Sequence, residues 1–570
     1  MDAMDDPLTS VGSQHRHSAS RRAGAGVAGV YQDCGMAEEK RKMTSPNPPE
    51  EGTGLPRTRE TCAPLLLSHE QATDAQRNEG IRGRAQESDP FILLRDGNAD
   101  YMGKGWAGSQ RGQSTDTRGR NAPKQSVSST LSALSRKAVS APKHRFRSLY
   151  RLIDLQMLYE SFRALKRNAA PGVDGVTVGE YEKNLDENLR SLLKRLIGKR
   201  YRAQPVRRRY IEKPGSSKLR PLGIPALEDK IVQHAASRIL ESIYESYFSE
   251  RSVGYRRGKP GARQCSYQLA RELYSGIYRW VVEADIRSFF DEVDHEWLVR
   301  MLEQRIADRA FVGLIVKWLK AGVLEAEGGS LQASEAGTPQ GGIISPILAN
   351  IYLHYVLDIW LEKKLRKEFA GRYLFMRFAD NFVVCFEWKC DADNFLGQLG
   401  GRLGKFSLRL AEEKSGLVKF NRWEPDRSGK FTFLGFDFYW ARCLKNRNHV
   451  MVKRKTAKKK FRAALASLKG WMIKHRHRPL RWVLAQLRLK FQGYGNYYGV
   501  IGNAKALSRY FWAATKTVFK WLNRRSQRRS FTWSRFLGHW RGDWKIPSPR
   551  VVETNERRNR APCQLELAMP

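Results

Sequence analysis

Between Tyr373 and Phe386 two apolar runs, Tyr373-Leu374-Phe375-Met376-Arg377-Phe378 and Phe382-Val383-Val384-Cys385-Phe386, frame the short polar step Ala379-Asp380-Asn381. Runs of that length, rich in aromatic and β-branched residues around a tight polar turn, predict a β-hairpin with Asp380 at its tip. A second such element lies upstream. Trp280-Val281-Val282-Glu283-Ala284-Asp285-Ile286 predicts a buried strand ending in a carboxylate, followed by a helix with Trp297, Leu298, Met301 and Leu302 on one face. An ionised Asp at the end of a buried strand is costly unless it is paired or bound to metal.

Two carboxylates on separate elements suit one chemistry in particular. Transfer of a nucleotidyl group uses two magnesium ions about 4 Å apart, one activating a 3′ hydroxyl and the other holding a triphosphate. A strand-end Asp285 and a hairpin-tip Asp380 are candidates for that clamp. Either one alone reads as a capping or salt-bridged residue, and only their joint occurrence with the motifs below favours the metal reading. Between them Gly337-Thr338-Pro339-Gln340-Gly341-Gly342-Ile343-Ile344-Ser345-Pro346 predicts a glycine-rich loop entering a helix, with Ser345 as N-cap and Pro346 in the first turn. Ile347, Ile351, Tyr355 and Trp360 carry that helix onward. The loop reads either as a tight turn before a core helix or as exposed backbone against which a base pair lies, with Gln340 reaching the nucleotide or template.

The charge balance names the class of partner. The chain of 570 residues carries 101 Lys and Arg against 58 Asp and Glu, a formal net charge of +43 that calls for a polyanion such as nucleic acid. The excess is concentrated late: from Ala441 to Trp540 there are 26 Lys and Arg and no Asp or Glu, with Trp, Phe, Tyr and Leu at helical intervals. A helical domain with a basic face is expected there. The seven cysteines include no Cys-x-x-Cys pair, so neither a disulfide framework nor a zinc ribbon is indicated. No run approaches a membrane span, and Asp2, Asp5 and Asp6 occupy the start where a targeting segment is apolar or basic. The expectation is an intracellular, soluble, nucleic-acid-associated protein with no membrane contact and an oligomeric state left open. Residues 1–142, rich in Gly, Ser, Arg, Pro and Asp, are expected to be a disordered extension, with Met36 and Met102 as alternative starts. Order is expected from residue 143, with α+β segments over 143–440, a helical domain over 441–555 and a tail over 556–570.

In this order the motifs resemble those of the group II intron reverse transcriptases. Glu-Ala-Asp-Ile-Arg-Ser-Phe-Phe-Asp around Asp285 is similar to the family's palm motif A, Pro339-Gln340-Gly341-Gly342 to motif B, and Phe378-Ala379-Asp380-Asn381 to motif C. The likeness extends through Ala-Pro-Gly-Val-Asp-Gly at 170–175, Lys218-Leu219-Arg220-Pro221, Glu412-Glu413-Lys414 and Phe433-Leu434-Gly435-Phe436 to Gly493-Tyr494-Gly495-Asn496-Tyr497-Tyr498-Gly499, and covers about residues 145 to 555.

The resemblance implies a right-hand polymerase, with fingers and palm around an antiparallel sheet, followed by an α-helical thumb and maturase domain. It implies an RNA-directed DNA polymerase and splicing maturase whose partners are a group II intron RNA, an RNA template with a DNA primer, deoxynucleoside triphosphates and a DNA target. The implied cofactor is a pair of Mg2+ ions, replaceable by Mn2+, on Asp285, Asp380 and the carbonyl of Ile286. Lys218 and Arg220 become triphosphate contacts, Phe290 the gate that excludes a ribose 2′ hydroxyl, and Lys414 the acid that protonates the leaving pyrophosphate. Arg524, Arg525, Arg528 and Arg529 become part of the intron-binding face. Of the aromatics Trp471, Trp482, Tyr494, Tyr497, Tyr498, Trp512 and Trp521, most are expected in the core.

Two departures stand out. The family's motif C reads Tyr-Ala-Asp-Asp, and Phe378 and Asn381 replace its ends. The second replacement removes one negative charge from a site for two dications, and a loss of about 1.4 to 3 kcal/mol would slow synthesis roughly 10- to 150-fold. Arg257 stands where the family has Pro, and no paired cysteines or His-rich motif follow residue 550, so an endonuclease domain is not expected. Asn381 also opens a maturase-only reading, and the long first segment a host-adopted reverse transcriptase in DNA repair or phage defence.

Overall fold

The computed structural model describes residues 126–553, apart from 213–218, 326–328, 330, 334–335, 339, 444–447 and 526–529. Three antiparallel or mixed sheets and a series of helices make an α+β architecture. In the first sheet β1 (Val206–Glu212) runs antiparallel to β2 (Leu219–Ile224) and parallel to β4 (Val323–Leu324), which pairs with β5 (Leu331–Gln332). The central sheet is antiparallel throughout, in the order β6 (Tyr373–Phe378), β7 (Asn381–Phe386), β3 (Trp280–Ala284), β8 (Gly416–Lys419). The third runs β11 (Val450–Thr456), β10 (Phe436–Arg442), β9 (Phe431–Phe433).

The hairpin and the isolated strand read from the sequence are therefore neighbours: β7 pairs with β6 on one side and with β3 on the other. The alternation of side chains divides them between two cores. Val281, Val383, Cys385, Leu374 and Met376 face the helix Ala262–Leu273 and the aromatic rows Phe431, Phe433, Phe436 and Phe438 of the third sheet. Val282, Ala284, Phe382, Val384 and Phe386 are buried as well, and Phe386 meets Phe395 of the helix Lys389–Gly404 at a ring separation of 5.6 Å. A strand buried on both faces can end in a charge only where the sheet opens, which is where Asp285 and Asp380 stand.

Order begins before residue 143. Val127–Ser140 is a helix capped by the Ser126 side chain, packed on the helix Leu227–Tyr244 through a face that includes Val127 and Ala138. The helix after motif B also starts differently from the expectation: Ser345 is its first helical residue and Ile344 its N-cap, a shift of one position. From His354 the same helix widens into two π turns, His354–Asp358 and Trp360–Lys364.

The segment expected to be helical from residue 441 first completes a sheet. β10 runs to Arg442 and β11 pairs with it from Phe436↔Thr456 to Arg442↔Val450, so the helices begin only at Lys458. Four follow: Lys458–His475, Leu480–Tyr498, Ala504–Leu522 and Trp533–Arg541. Their shared core includes Met472, Leu487, Phe491, Val518, Phe536 and Trp540, and the Tyr494 and Tyr510 rings stack at 3.6 Å. Asn503 joins this core to the third sheet: its amide nitrogen donates to the Thr456 hydroxyl and the Tyr498 carbonyl, and its oxygen accepts from the Thr456 backbone N–H.

Candidate active site

The register puts Ala284 opposite Phe382, so Asp285 emerges beside the tip of the β6–β7 hairpin, where Asp380 sits. The two carboxylates feel each other. Burial raises the Asp380 pKa, and the negative charge of Asp285 raises it further, against hydrogen bonds from the turn and from Asn381 and against the charge of Arg220. Lys414 Nζ lies 2.6 Å from Asp285 Oδ2, and this hydrogen bond with the nearby carboxylate charges raises the Lys414 pKa. The Asp285 backbone is pinned on both sides, its carbonyl accepting from Ala411 N at 2.8 Å and its N–H donating to Ser415 Oγ at 3.2 Å. Ile286 is bridged to Leu410.

Hard oxygen donors from two elements, one of them already holding an ammonium ion, fit a divalent cation by chemistry and charge. Asp285, Asp380 and the Ile286 carbonyl would hold it. Among the described residues no group of three or more His, Cys, Asp or Glu side chains forms a metal cage, so further ligands must come from the carbonyl, water or substrate. Asn381 sits next to the pair with its amide nitrogen 3.3 Å from Asp380 Oδ1, donating to the carboxylate.

The loop of motif B closes against this site and against the first sheet. Thr338 N donates to the Phe290 carbonyl at 2.8 Å, and Gly337 N to that of Val293 at 2.7 Å, which ties the loop to motif A. Phe290 is half-buried and meets Phe289 edge-on. Gly223 N of β2 donates to the Gln340 carbonyl at 2.7 Å. Gly341, at φ +121°, leaves no room for a side chain: a Cβ there would lie 2.6 Å from the Gly223 carbonyl oxygen. This glycine thus permits a close approach to the strand β2. Arg220, exposed on β2, acts electrostatically on Asp380 and on Lys460. Lys218 and Pro339 lie outside the described residues.

Sequence reasoning missed the group that supports the hairpin tip. Arg377 is fully buried, and its Nε and Nη2 donate to Asp358 Oδ1 and Oδ2 at 2.8 and 2.5 Å. Its Nη1 donates to Asn350 Oδ1 and to the carbonyl of Ala379, both at 3.1 Å. Asn350 Nδ2 in turn donates to the Gly254 carbonyl at 2.8 Å, and a Cβ on Gly254 would lie 2.3 Å from Ala379 N. Burial alone would raise the Asp358 pKa, but the Arg377 charge and hydrogen bonds from Arg377 and His354 outweigh it and hold it below the usual range. Ala379 adopts φ +57°, a conformation costing an L residue roughly 1–2 kcal/mol. Arg377 and Gly254 hold that residue from two sides, and so fix Asp380 beside it. The π turn that carries Asp358 has no local sequence pattern by which it could be found.

Of the basic residues expected to meet RNA, Arg524 stacks on Trp521 at 5.2 Å, as does Arg476 from the other chain segment. Arg525 Nη2 donates to the Arg478 carbonyl at 2.9 Å. Arg528 and Arg529 lie outside the described residues. Trp471 and Tyr494 are core, whereas Trp482 and Trp512 are each 39% exposed.

Residues 211–438 match the family described as reverse transcriptase (RNA-dependent DNA polymerase). The group II intron-encoded protein LtrA of Lactococcus lactis subsp. cremoris is 40% identical over 225 residues, 39% of this chain and 36% of that protein. Protein YkfC of Escherichia coli K12 is 33% identical over 332 residues, 52% of this chain and 84% of that protein. This chain belongs to the group II intron reverse transcriptase/maturase family. The match spans little more than a third of LtrA, while it covers most of YkfC. The matched residues 211–438 take in the central sheet and most of the first, and reach into the third as far as Phe438. A nuclear intron maturase 4 of Arabidopsis thaliana is 29% identical over 152 residues, 26% of this chain and 18% of that protein. Among the described residues no helix is long and apolar enough to cross a membrane.

Proposed function

We propose that the chain is an RNA-directed DNA polymerase and intron maturase, built as a right hand in which the helices after Lys458 form the thumb and an RNA-binding face. The observation that carries the polymerase reading is the meeting of Asp285 and Asp380 at the open end of the central sheet. Mg2+ bound there, or Mn2+ in its place, would lower the pKa of a primer 3′ hydroxyl and neutralise the triphosphate. Asp285 and Asp380 supply the anionic oxygens that position the reacting ends. Arg220 provides a planar cationic fork for phosphate oxygens, with Lys218 as its neighbour in sequence. Phe290 forms a wall beside motif A where a 2′ hydroxyl would project, and Gln340 sits at the turn that faces the incoming nucleotide. Lys414, held on Asp285, would be the acid that gives a proton to the leaving pyrophosphate.

Asn381 favours a second reading, that of a maturase whose polymerase is weakened. In place of a second acidic group it offers a neutral amide that donates to Asp380, so the site has one negative charge fewer for the dications. Primer extension on poly(rA)/oligo(dT) with magnesium and then manganese separates the two, run with the natural protein beside Asn381→Asp. Low but measurable synthesis is expected, raised about 10- to 150-fold by the acidic variant. No product from either folded protein would overturn the polymerase reading and leave the maturase.

A further inference from the structure

A cavity of about 660 Å³ opens in the C-terminal helical region, away from the two carboxylates. Its volume is that of a site for a small organic group. Phe511, Trp512 and Trp540 supply aromatic walls, and Arg541, Lys545 and Arg550 supply cations; no acidic side chain lines it. Trp540 is 1% exposed and belongs to the core, so that wall is rigid. Its indole N–H is buried with no acceptor among the described residues. Trp512, by contrast, leaves 39% of its surface open, with the Arg541 guanidinium 5.7 Å from its ring centroid.

The wall formed by residues 545–551 is fixed in place by the preceding helices. Arg488 Nε donates to the Trp544 carbonyl at 3.0 Å, and Val552 N donates to the Gly499 carbonyl at 2.8 Å. A Cβ at Gly499 would lie 2.5 Å from the Arg550 carbonyl oxygen. The last glycine of the Gly493–Gly499 motif thus serves to let this wall approach. An aromatic face beside three cations, with no anion, is complementary to a base flanked by phosphates, since stacking tolerates any base and the cations take the backbone.

We propose that this cavity holds one unstacked nucleotide of a looped RNA, its base against Trp512 and its phosphates on Arg541, Lys545 and Arg550. This rests on the reading of the chain as an RNA-binding maturase and specifies where one nucleotide is captured.

The test uses the full chain and fluorescein-labelled oligouridylate, whose bases stack little on each other, with an abasic ribose oligomer of the same length as control. Trp512→Ala is expected to weaken oligouridylate binding about 5- to 150-fold, Trp512→Phe to retain most of it, and neither to change binding of the abasic oligomer. Arg541→Gln is expected to lower the slope of log affinity against log salt by about one. Melting curves of the three variants establish that each is folded. If the natural chain binds oligouridylate and Trp512→Ala binds it equally well, the cavity proposal falls and the maturase reading stands. Equal weakening on the abasic oligomer also overturns it, because stacking would then play no part. Failure of the natural chain to bind either oligomer overturns both readings.

Discussion

Arginine serves opposite purposes at the hairpin tip and in the C-terminal helices. Arg377 has no exposed surface and spends its donors on Asp358, Asn350 and the Ala379 carbonyl. Arg524 lies exposed on the face of Trp521. A guanidinium taken out of water must be matched donor by donor, and once matched it holds its neighbours to one geometry. One left in water adds to a field in which no single residue is decisive. Substitutions near the hairpin are therefore expected to have large and non-additive effects, and those on the basic face small and additive ones.

Asp380→Ala is the severest disturbance on the buried side. Removing one of the two carboxylates proposed to hold the cations is expected to cost at least about a thousandfold in primer extension, on the scale of lost electrostatic stabilisation at a reacting centre. Melting is expected to stay near the natural value, because Asp380 is partly exposed and lies in the turn between β6 and β7. Retention of a tenth of the natural rate would remove Asp380 from the site. Next in size is Arg377→Met, which strands the Asp358 carboxylate in the core and is expected to destabilise the fold by about 3–5 kcal/mol. Combining it with Asp358→Leu removes both charges and is expected to recover most of that stability in denaturant titrations. Polymerase activity is expected to remain low in the double variant, since nothing then bonds the Ala379 carbonyl. Recovery of activity along with stability would mean that the pair only fills space.

The same contrast marks what could be read from the residues alone. Strong patterns carried the strand at Trp280, the hairpin at Tyr373–Phe386 and the helix at His295–Glu303, because each is a local run with a single period. The Asp285–Asp380 pairing was legible only by analogy, since strand order is not a local property. Val127–Ser140 was missed because its Ser-rich composition hides Val127, Leu131, Leu134 and Ala138 at helical spacing. β11 was missed because Lys453, Arg454 and Lys455 look like the basic face that follows. In fact Arg454 turns inward, to Ser266 and to Glu553 at 2.7 Å. The Asp358–Arg377–Asn350 group was the least legible: Asn350 and Asp358 lie along one helix that widens into a π turn, and Arg377 reaches both from the strand β6.

Asp229 sharpens the comparison, because it is a second buried aspartate but has no arginine. Burial raises its pKa from 3.8 to about 6, against hydrogen bonds from the Tyr201 hydroxyl and from Gln204 N at 3.0 Å. Asp358, with Arg377 upon it, moves in the other direction. Between the unfolded and folded values of Asp229 the folded chain keeps a proton that the unfolded chain has released, so its contribution to stability falls as pH rises through that window. Asp229→Asn removes the titration. Its stability relative to the natural chain is expected to improve by about 3 kcal/mol from pH 4 to pH 8, since two pKa units correspond to that free energy. A stability difference independent of pH would show that Asp229 is not the group titrating.

The smallest effects are expected on the exposed side. Arg524→Gln removes one charge from the face and leaves Arg476 stacked on Trp521. RNA binding is expected to weaken only a few-fold at physiological salt, with the salt slope reduced by about one and melting unchanged. Arg525→Gln is expected to match it in the slope but also to melt earlier, because Arg525 gives up the hydrogen bond to the Arg478 carbonyl, a loss of about 1 kcal/mol. The double variant is expected to show the sum of the two slopes. A fall much greater than the sum would mean that the two guanidinium groups form one matched site, and the division between an organising interior and an additive surface would not hold at this end of the helix.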